Sequence, residues 1–253
     1  MQRLLKLFSE DSALGRFLNR LYIIIVSNLL FVLFSLPVVT IGAGLSALNY
    51  TMMKYRRGDR HFKVTAMFWR GFRESFLKAT ACFAVYVLLM LVQWLEISWC
   101  RQFTGPVALF KYALIGLMAL ETIVAIYLFP VIAAFNGGIG ELLKNALYFA
   151  FSKPHYMLLC VALYVVPLAA TYASVRYLPL WAFLWLMFGF ALIVYIASGI
   201  MLKQFMPFLP EVDICGDIIL PGQEDDPNIV VGEDDSSDDF DEKTLQEMMK
   251  YGL

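Results

Sequence analysis

Histidine is almost missing from this chain: of 253 residues only His61 and His155 carry an imidazole, each beside basic or Pro residues. Neither a metal cluster nor a histidine-dependent catalytic triad is therefore expected. The four cysteines, Cys82, Cys100, Cys160 and Cys215, lack the paired spacing of a zinc site or a disulfide framework and read as small apolar residues. Charge is scarce too, at 16% of residues, against about 25% in an ordinary soluble domain. No cleavable signal pattern opens the chain, because the first apolar run, 21–36, flows directly into further apolar sequence. The first helix is expected to remain in the mature protein.

What fills the space is hydrophobic: 60% of residues are apolar and 15% aromatic. They fall in uninterrupted runs, whereas a globular protein spreads them at helix or strand periods. Lipid is the simplest solvent for such runs. A spanning helix needs roughly 20 mostly apolar residues, at about 1.5 Å each against a hydrocarbon core of about 30 Å. Segments at about 17–36, 76–99, 107–135, 156–175 and 178–202 qualify or nearly do, and a sixth, 38–53, falls a little short. The fold class is all-α, a polytopic transmembrane helical bundle of about six membrane segments, with cytoplasmic interfacial helices. Residues 1–221 form the membrane domain.

Positive charge sets the expected topology, since Lys and Arg near membrane ends stay cytoplasmic. Arg3, Lys6, Arg16 and Arg20 precede the first segment, and eight basic residues lie between Lys54 and Lys78. Both stretches are expected inside, so the first two segments form a helical hairpin bent at Ser35-Leu36-Pro37, or a re-entrant pair. The turn at Arg101 and the one at Arg176 are then outside, while the 136–155 loop and the C-terminus are inside. Five crossings with an external N-terminus are the alternative.

Two loops expected on the cytoplasmic side read as interfacial helices. In the first, Phe68, Phe72 and Phe76 recur at helical spacing, and Arg70 and Arg73 supply charge for anionic head groups. In the second, Leu142, Leu143, Ala146 and Leu147 alternate with Glu141, Lys144 and Asn145 until Lys153-Pro154 ends the helix. Each loop follows a proline-containing helix end, at Pro37 or Pro130, a hint of an internal repeat. Charge is also uneven along the chain: residues 1–221 hold 18 Lys/Arg against 10 Asp/Glu, and residues 222–253 hold 2 against 11. An acidic disordered tail is expected over 222–243, followed by a short helix over 244–253.

Asn28-Leu29-Leu30-Phe31, and then the string Ser35-Leu36-Pro37-Val38-Val39-Thr40-Ile41-Gly42-Ala43, resemble the YesL-like family of bacterial integral membrane proteins, a domain of unknown function. Phe68-Trp69-Arg70-Gly71-Phe72-Arg73-Glu74-Ser75-Phe76 is similar to that family's Phe-rich basic segment, and Phe129-Pro130 with Leu143-Lys144-Asn145-Ala146-Leu147 to its later signature. The resemblance covers roughly residues 8–213. It implies a bacterial cell membrane location and, because family members are often encoded beside ATP-driven carbohydrate uptake systems, transporter components as partners. It transfers no catalytic or binding residue.

Among candidate site residues, Glu121 comes first, because an ionised carboxylate in mid-segment is costly in hydrocarbon. It is either a proton or substrate contact, or a neutral acid bonded to another helix through Asn28, Gln93 or Tyr164. Asn28 and Gln93 are buried amides suited to binding helices together. Pro37, Gly42 and Gly44 either break a helix around a ligand, as in transporters, or let helices pack closely. Arg70, Phe72, Arg73, Phe76 and Lys144 meet either lipid or a cytoplasmic partner. The 136–153 loop lacks the Glu-Ala-Ala plus glycine pattern by which importer permeases engage their ATPases. Two functions compete: an accessory or regulatory component of carbohydrate uptake, and a small-molecule permease with a site near Pro37, Gly42–Gly44 and Glu121. An enzyme is not expected, since no polar pair sits at catalytic spacing. Nucleic acid is not expected as a partner, since the basic residues flank membrane segments and no binding motif surrounds them. No cofactor is expected, and no oligomeric state follows.

Overall fold

The computed structural model describes residues 13–58, 63–100, 102 and 107–209. The chain divides into two compact units, Met1–Leu209 and Pro210–Leu253. The second unit, with the acidic tail and terminal helix expected there, lies outside the described residues, as do Arg60 and Arg101.

Among the described residues all regular structure is helical. Helix α1, Ala13–Phe34, stops where the sequence runs into Ser35-Leu36-Pro37. Pro37 sits in extended backbone and opens a single 3-10 turn, Val38–Thr40, that leads into α2, Ile41–Arg57. Gly58 ends α2 in the left-handed region, at φ +86, and returns its N–H to the Tyr55 carbonyl, a geometry that glycine adopts without a Cβ penalty. Helix α3 is Val64–Cys100, α4 Val107–Ala134 and α5 Ile139–Ser152. Helix α6, Pro154–Ala173, has its proline at the first turn, where the missing N–H costs nothing. A short connection leads to α7, Leu178–Leu184, which passes through a π turn at Trp185–Gly189 into α8, Phe190–Phe205.

Five helical runs are long and apolar enough to cross a membrane: α1, α3, α4, α6 and the continuous α7–α8 run. Helix α2 is not among them, and its surroundings explain why. Ala43, Ala47, Leu48 and Met52 are buried by neighbouring helices, as are the polar Ser46, Asn49 and Thr51. A helix sheathed in protein needs no lipid-compatible surface, so its composition carries less hydropathy. It is the axis of the molecule, with α1, α3, α4 and α8 packed around it.

Helix α3 departs from the sequence reading. Its 37 residues form one uninterrupted helix, about 55 Å long and so longer than a hydrocarbon core. The Phe-rich basic stretch is the first half of that helix and does not lie flat as a separate interfacial one. Phe68 is 0% and Phe72 9% exposed, and both rings pack on Phe34 of α1, with centroids 5.7 and 5.0 Å away. The helical spacing of Phe68 and Phe72 thus reports a face turned to the protein's own core. Arg70 and Arg73 occupy the exposed face of the same turns. Pro130 is likewise inside α4 and not at its end, so the parallel between the two proline-bearing ends does not hold. The second amphipathic loop does form a helix: α5 buries Leu142, Ala146, Phe149 and Ala150 and exposes Leu143, Lys144 and Leu147.

Candidate functional site

The Ser35–Ala43 string builds the α1–α2 turn. Thr40 Oγ1 lies 2.6 Å from the Phe34 carbonyl and 2.7 Å from the Pro37 carbonyl, so its single O–H proton is shared between them, and the Pro37 carbonyl also accepts the Thr40 N–H at 2.9 Å. Leu36, Val38 and Val39 are exposed at the tip. Gly42 is where α3 crosses: a Cβ there would stand 2.5 Å from the Ala79 carbonyl oxygen and 2.5 Å from Phe83 Cβ. Gly44 faces the Phe31 ring and Ser35 Oγ. These glycines are filled by neighbouring side chains and backbone. From Phe83, α3 runs on to Cys100, roughly 25 Å, so the hairpin packs against the middle of α3.

Asn28 makes three hydrogen bonds, two to the π turn and one to the start of α8. Its Nδ2 donates to the carbonyls of Trp185 (2.9 Å) and Leu186 (2.7 Å), and its Oδ1 accepts the Ala191 N–H at 2.9 Å. A π turn displaces backbone groups from their usual partners, and within lipid such groups need a substitute. Asn28 is that substitute, and it fixes Trp185 and Phe190, whose rings are 4.8 Å apart. Trp185 Nε1 also donates to Thr171 Oγ1 on α6 at 3.1 Å. The sequence offered little sign of this arrangement beyond Gly189, where a Cβ would stand 2.7 Å from the Trp185 ring.

Gln93 and Glu121 meet on the antiparallel α3–α4 seam, with Gln93 Nε2 donating to Glu121 Oε1 at 2.6 Å. Gln93 Oε1 and Glu121 Oε2 are buried without a partner. Further along the seam, Thr122 Oγ1 donates to the Met118 carbonyl at 2.8 Å, which leaves the Tyr86 hydroxyl, 3.3 Å away, as donor to Thr122. Of the three partners considered for Glu121, the structure brings Gln93 to it; Asn28 is committed to the π turn. Gln93 lies ten residues beyond Phe83, about 15 Å along α3, so Glu121 and the Gly42–Gly44 stretch do not form one site.

A cavity of about 240 Å³ lies between α2, α3, α4, α6 and the α7–α8 run. Leu45, Phe83, Ile126, Phe129, Ile193 and Val194 supply its apolar wall, and Asn49, Tyr86, Thr122, Tyr164 and Trp185 its polar groups. None of the lining residues was singled out as a site from sequence except Tyr164, weighed only as a partner for Glu121. The basic residues lie elsewhere. Arg70 pairs with Glu74 at 2.8 Å on the exposed face of α3. Arg56 donates to the Tyr195 carbonyl at 2.8 Å and lies over the Tyr195 ring, 4.0 Å from its centroid. Gly199 leaves room for that guanidinium, since a Cβ would stand 2.7 Å from it. Beside it, burial and then Tyr195 raise the Tyr55 hydroxyl above its ordinary value, which keeps it a neutral donor. Among the described residues no group of His, Cys, Asp and Glu is arranged to hold a metal.

A chain whose described residues form only helical structure, with five long apolar runs around a buried polar-faced helix, is a multi-pass membrane protein. A family model described as "Protein of unknown function, DUF624", the family containing the YesL-like membrane proteins, matches residues 24–97 of this chain. The match takes in the Ser35–Ala43 string and the Phe-rich segment; the later resemblance near Pro130 and Leu143 falls beyond it. No curated protein and no solved structure matches the chain.

Proposed function

We propose that the protein is an accessory or regulatory subunit of a bacterial carbohydrate uptake system in the plasma membrane, without a transport path or catalytic activity of its own. The observation carrying this reading is the character of its cavity. A sugar site needs several free polar groups to replace the hydration of the hydroxyls, since an unpaired buried hydroxyl is costly. Here the Thr122 hydroxyl, the Asn49 Nδ2 and the Trp185 N–H are all engaged with protein acceptors. The permease reading joins Gly42–Gly44 to Glu121, and those positions stand apart along α3. The uptake context comes from the family resemblance. In this reading both chain termini are cytoplasmic, and α5 and the exposed basic face of α3 meet the partner.

Two measurements on the full chain test it. Capture from gently solubilised membranes brings down components of an ATP-driven carbohydrate importer, and the purified chain in vesicles gives no flux of labelled sugar above protein-free vesicles. Flux by the chain alone would replace this reading with the permease, and capture without importer components would remove its uptake role.

A further inference from the structure

The cavity that suits sugar poorly is well suited to hydrocarbon. Its size is sufficient: an apolar cavity of about 150 Å³ takes up benzene, and this one is about 240 Å³. Its wall is mostly apolar, with Leu, Ile, Val and Phe as its largest share, while the Thr122 hydroxyl, Asn49 Nδ2 and Trp185 N–H are engaged with protein acceptors. Asn49 Oδ1 is buried without a partner and the Tyr164 hydroxyl also lines the space, which is at most the lower end of the range of about two to four polar contacts that a buried water takes. An empty space of this kind forfeits dispersion contacts over its whole lining.

A route from outside also exists. Leu168 lines the cavity and is 57% exposed. It belongs to α6, whose Leu158, Leu159, Val165 and Val166 are exposed as well, so this helix turns most of its length to the bilayer. Hydrocarbon chains are therefore the species in contact with the opening.

We infer that the cavity binds one hydrocarbon chain of a membrane lipid, entering past Leu168 and ending against Phe129, Ile193 and Val194. The chain completes the packing between α2, α4, α6 and the Trp185–Phe190 rings that Asn28 fixes. This inference rests on the membrane reading alone and is independent of the uptake role.

The test uses the full chain in phosphatidylcholine vesicles in which one acyl chain carries a terminal diazirine, followed by irradiation and mapping of adducts. Phe129 and Val194 are 7% and 1% exposed, so a bilayer chain reaches them only through the cavity. Adducts are expected at Phe129, Ile193 or Val194, well above those at Val131 and Leu48, which are also buried but do not line it. Ala125→Phe places a ring in the space and should lower the cavity adducts about tenfold, the effect of a clash of about 1.4 kcal/mol. Adducts at Leu158 and Leu159 should persist and report correct insertion, and Ile126→Phe serves as a second filling variant. Cavity positions labelled no more than Val131 and Leu48, or labelling that both filled variants leave unchanged, would overturn the inference.

Discussion

Gly42 and Gly116 are both helical glycines in apolar sequence, yet their surroundings differ completely. A methyl at Gly42 meets Ala79 backbone and Phe83 Cβ at 2.5 Å, neither of them a flexible chain end, while nothing lies within 4 Å of one at Gly116. Gly42→Ala should therefore lower stability by about 1–3 kcal/mol through overpacking. Gly116→Ala should raise it by about 0.5–1 kcal/mol, because it only reduces backbone freedom. Unfolding midpoints in mild detergent would report both, and equal effects would show that the α2–α3 approach is not tight. Asn28 and its neighbour Ser27 make a second contrast. Asn28→Ala strands two carbonyls and an N–H at and just past the π turn and should cost about 3 kcal/mol. Ser27 Oγ has no partner, so Ser27→Ala should change stability by about 0.5 kcal/mol or less. Sequence reasoning placed Asn28 correctly in apolar surroundings, but its partners lie more than 150 positions away, and no local pattern carries such information.

At the level of elements, most helices were legible because length, apolar runs and breakers suffice to place them: Ser35–Pro37, Lys153-Pro154 and the turn near Pro179 all punctuate the chain where expected. Helix α3 was cut short because charge at Arg70, Arg73, Glu74 and Lys78 reads as a loop. Nothing in that stretch breaks a helix, however, and Gly71 is there because Tyr50 packs over it. Periodicity shows that the face of Phe68 and Phe72 is buried without showing that α1, and not lipid, buries it. Phe68→Ala should therefore cost about 3–5 kcal/mol, whereas Leu77→Ala, 79% exposed, should change stability by about 0.5 kcal/mol or less. A Phe68 variant as stable as the parent in detergent would return that face to the lipid surface. On the α3–α4 seam, Glu121→Gln keeps a side chain that accepts from Gln93 and should preserve membrane levels and any uptake phenotype. Loss of the phenotype at normal levels would make Glu121 a functional group.

Across the described residues, large apolar side chains cover the outside as well as the core, unlike in a water-soluble domain. Leu77, Leu88, Trp99, Leu109, Leu158, Tyr172 and many other large side chains are exposed, while Ser46, Asn49, Thr51 and Gln204 are buried. Patches beyond a few hundred Å² are rare on soluble monomers, and here they wrap the full length of α6 and the second half of α3. The composition made this legible; what it hid was the short, less apolar α2 at the centre, because burial by protein and exposure to water call for similar residues. Single cysteines at Lys63, Leu88, Lys153 and Leu159, in a chain whose own cysteines are replaced, test the arrangement most directly through a membrane-impermeant maleimide applied from each side in turn. Leu88 and Leu159 should resist labelling from both sides while Lys63 and Lys153 react from one and the same side. Labelling of Leu88 and Leu159 as fast as Lys63 would mean that these helices do not lie in lipid, and the account would be wrong.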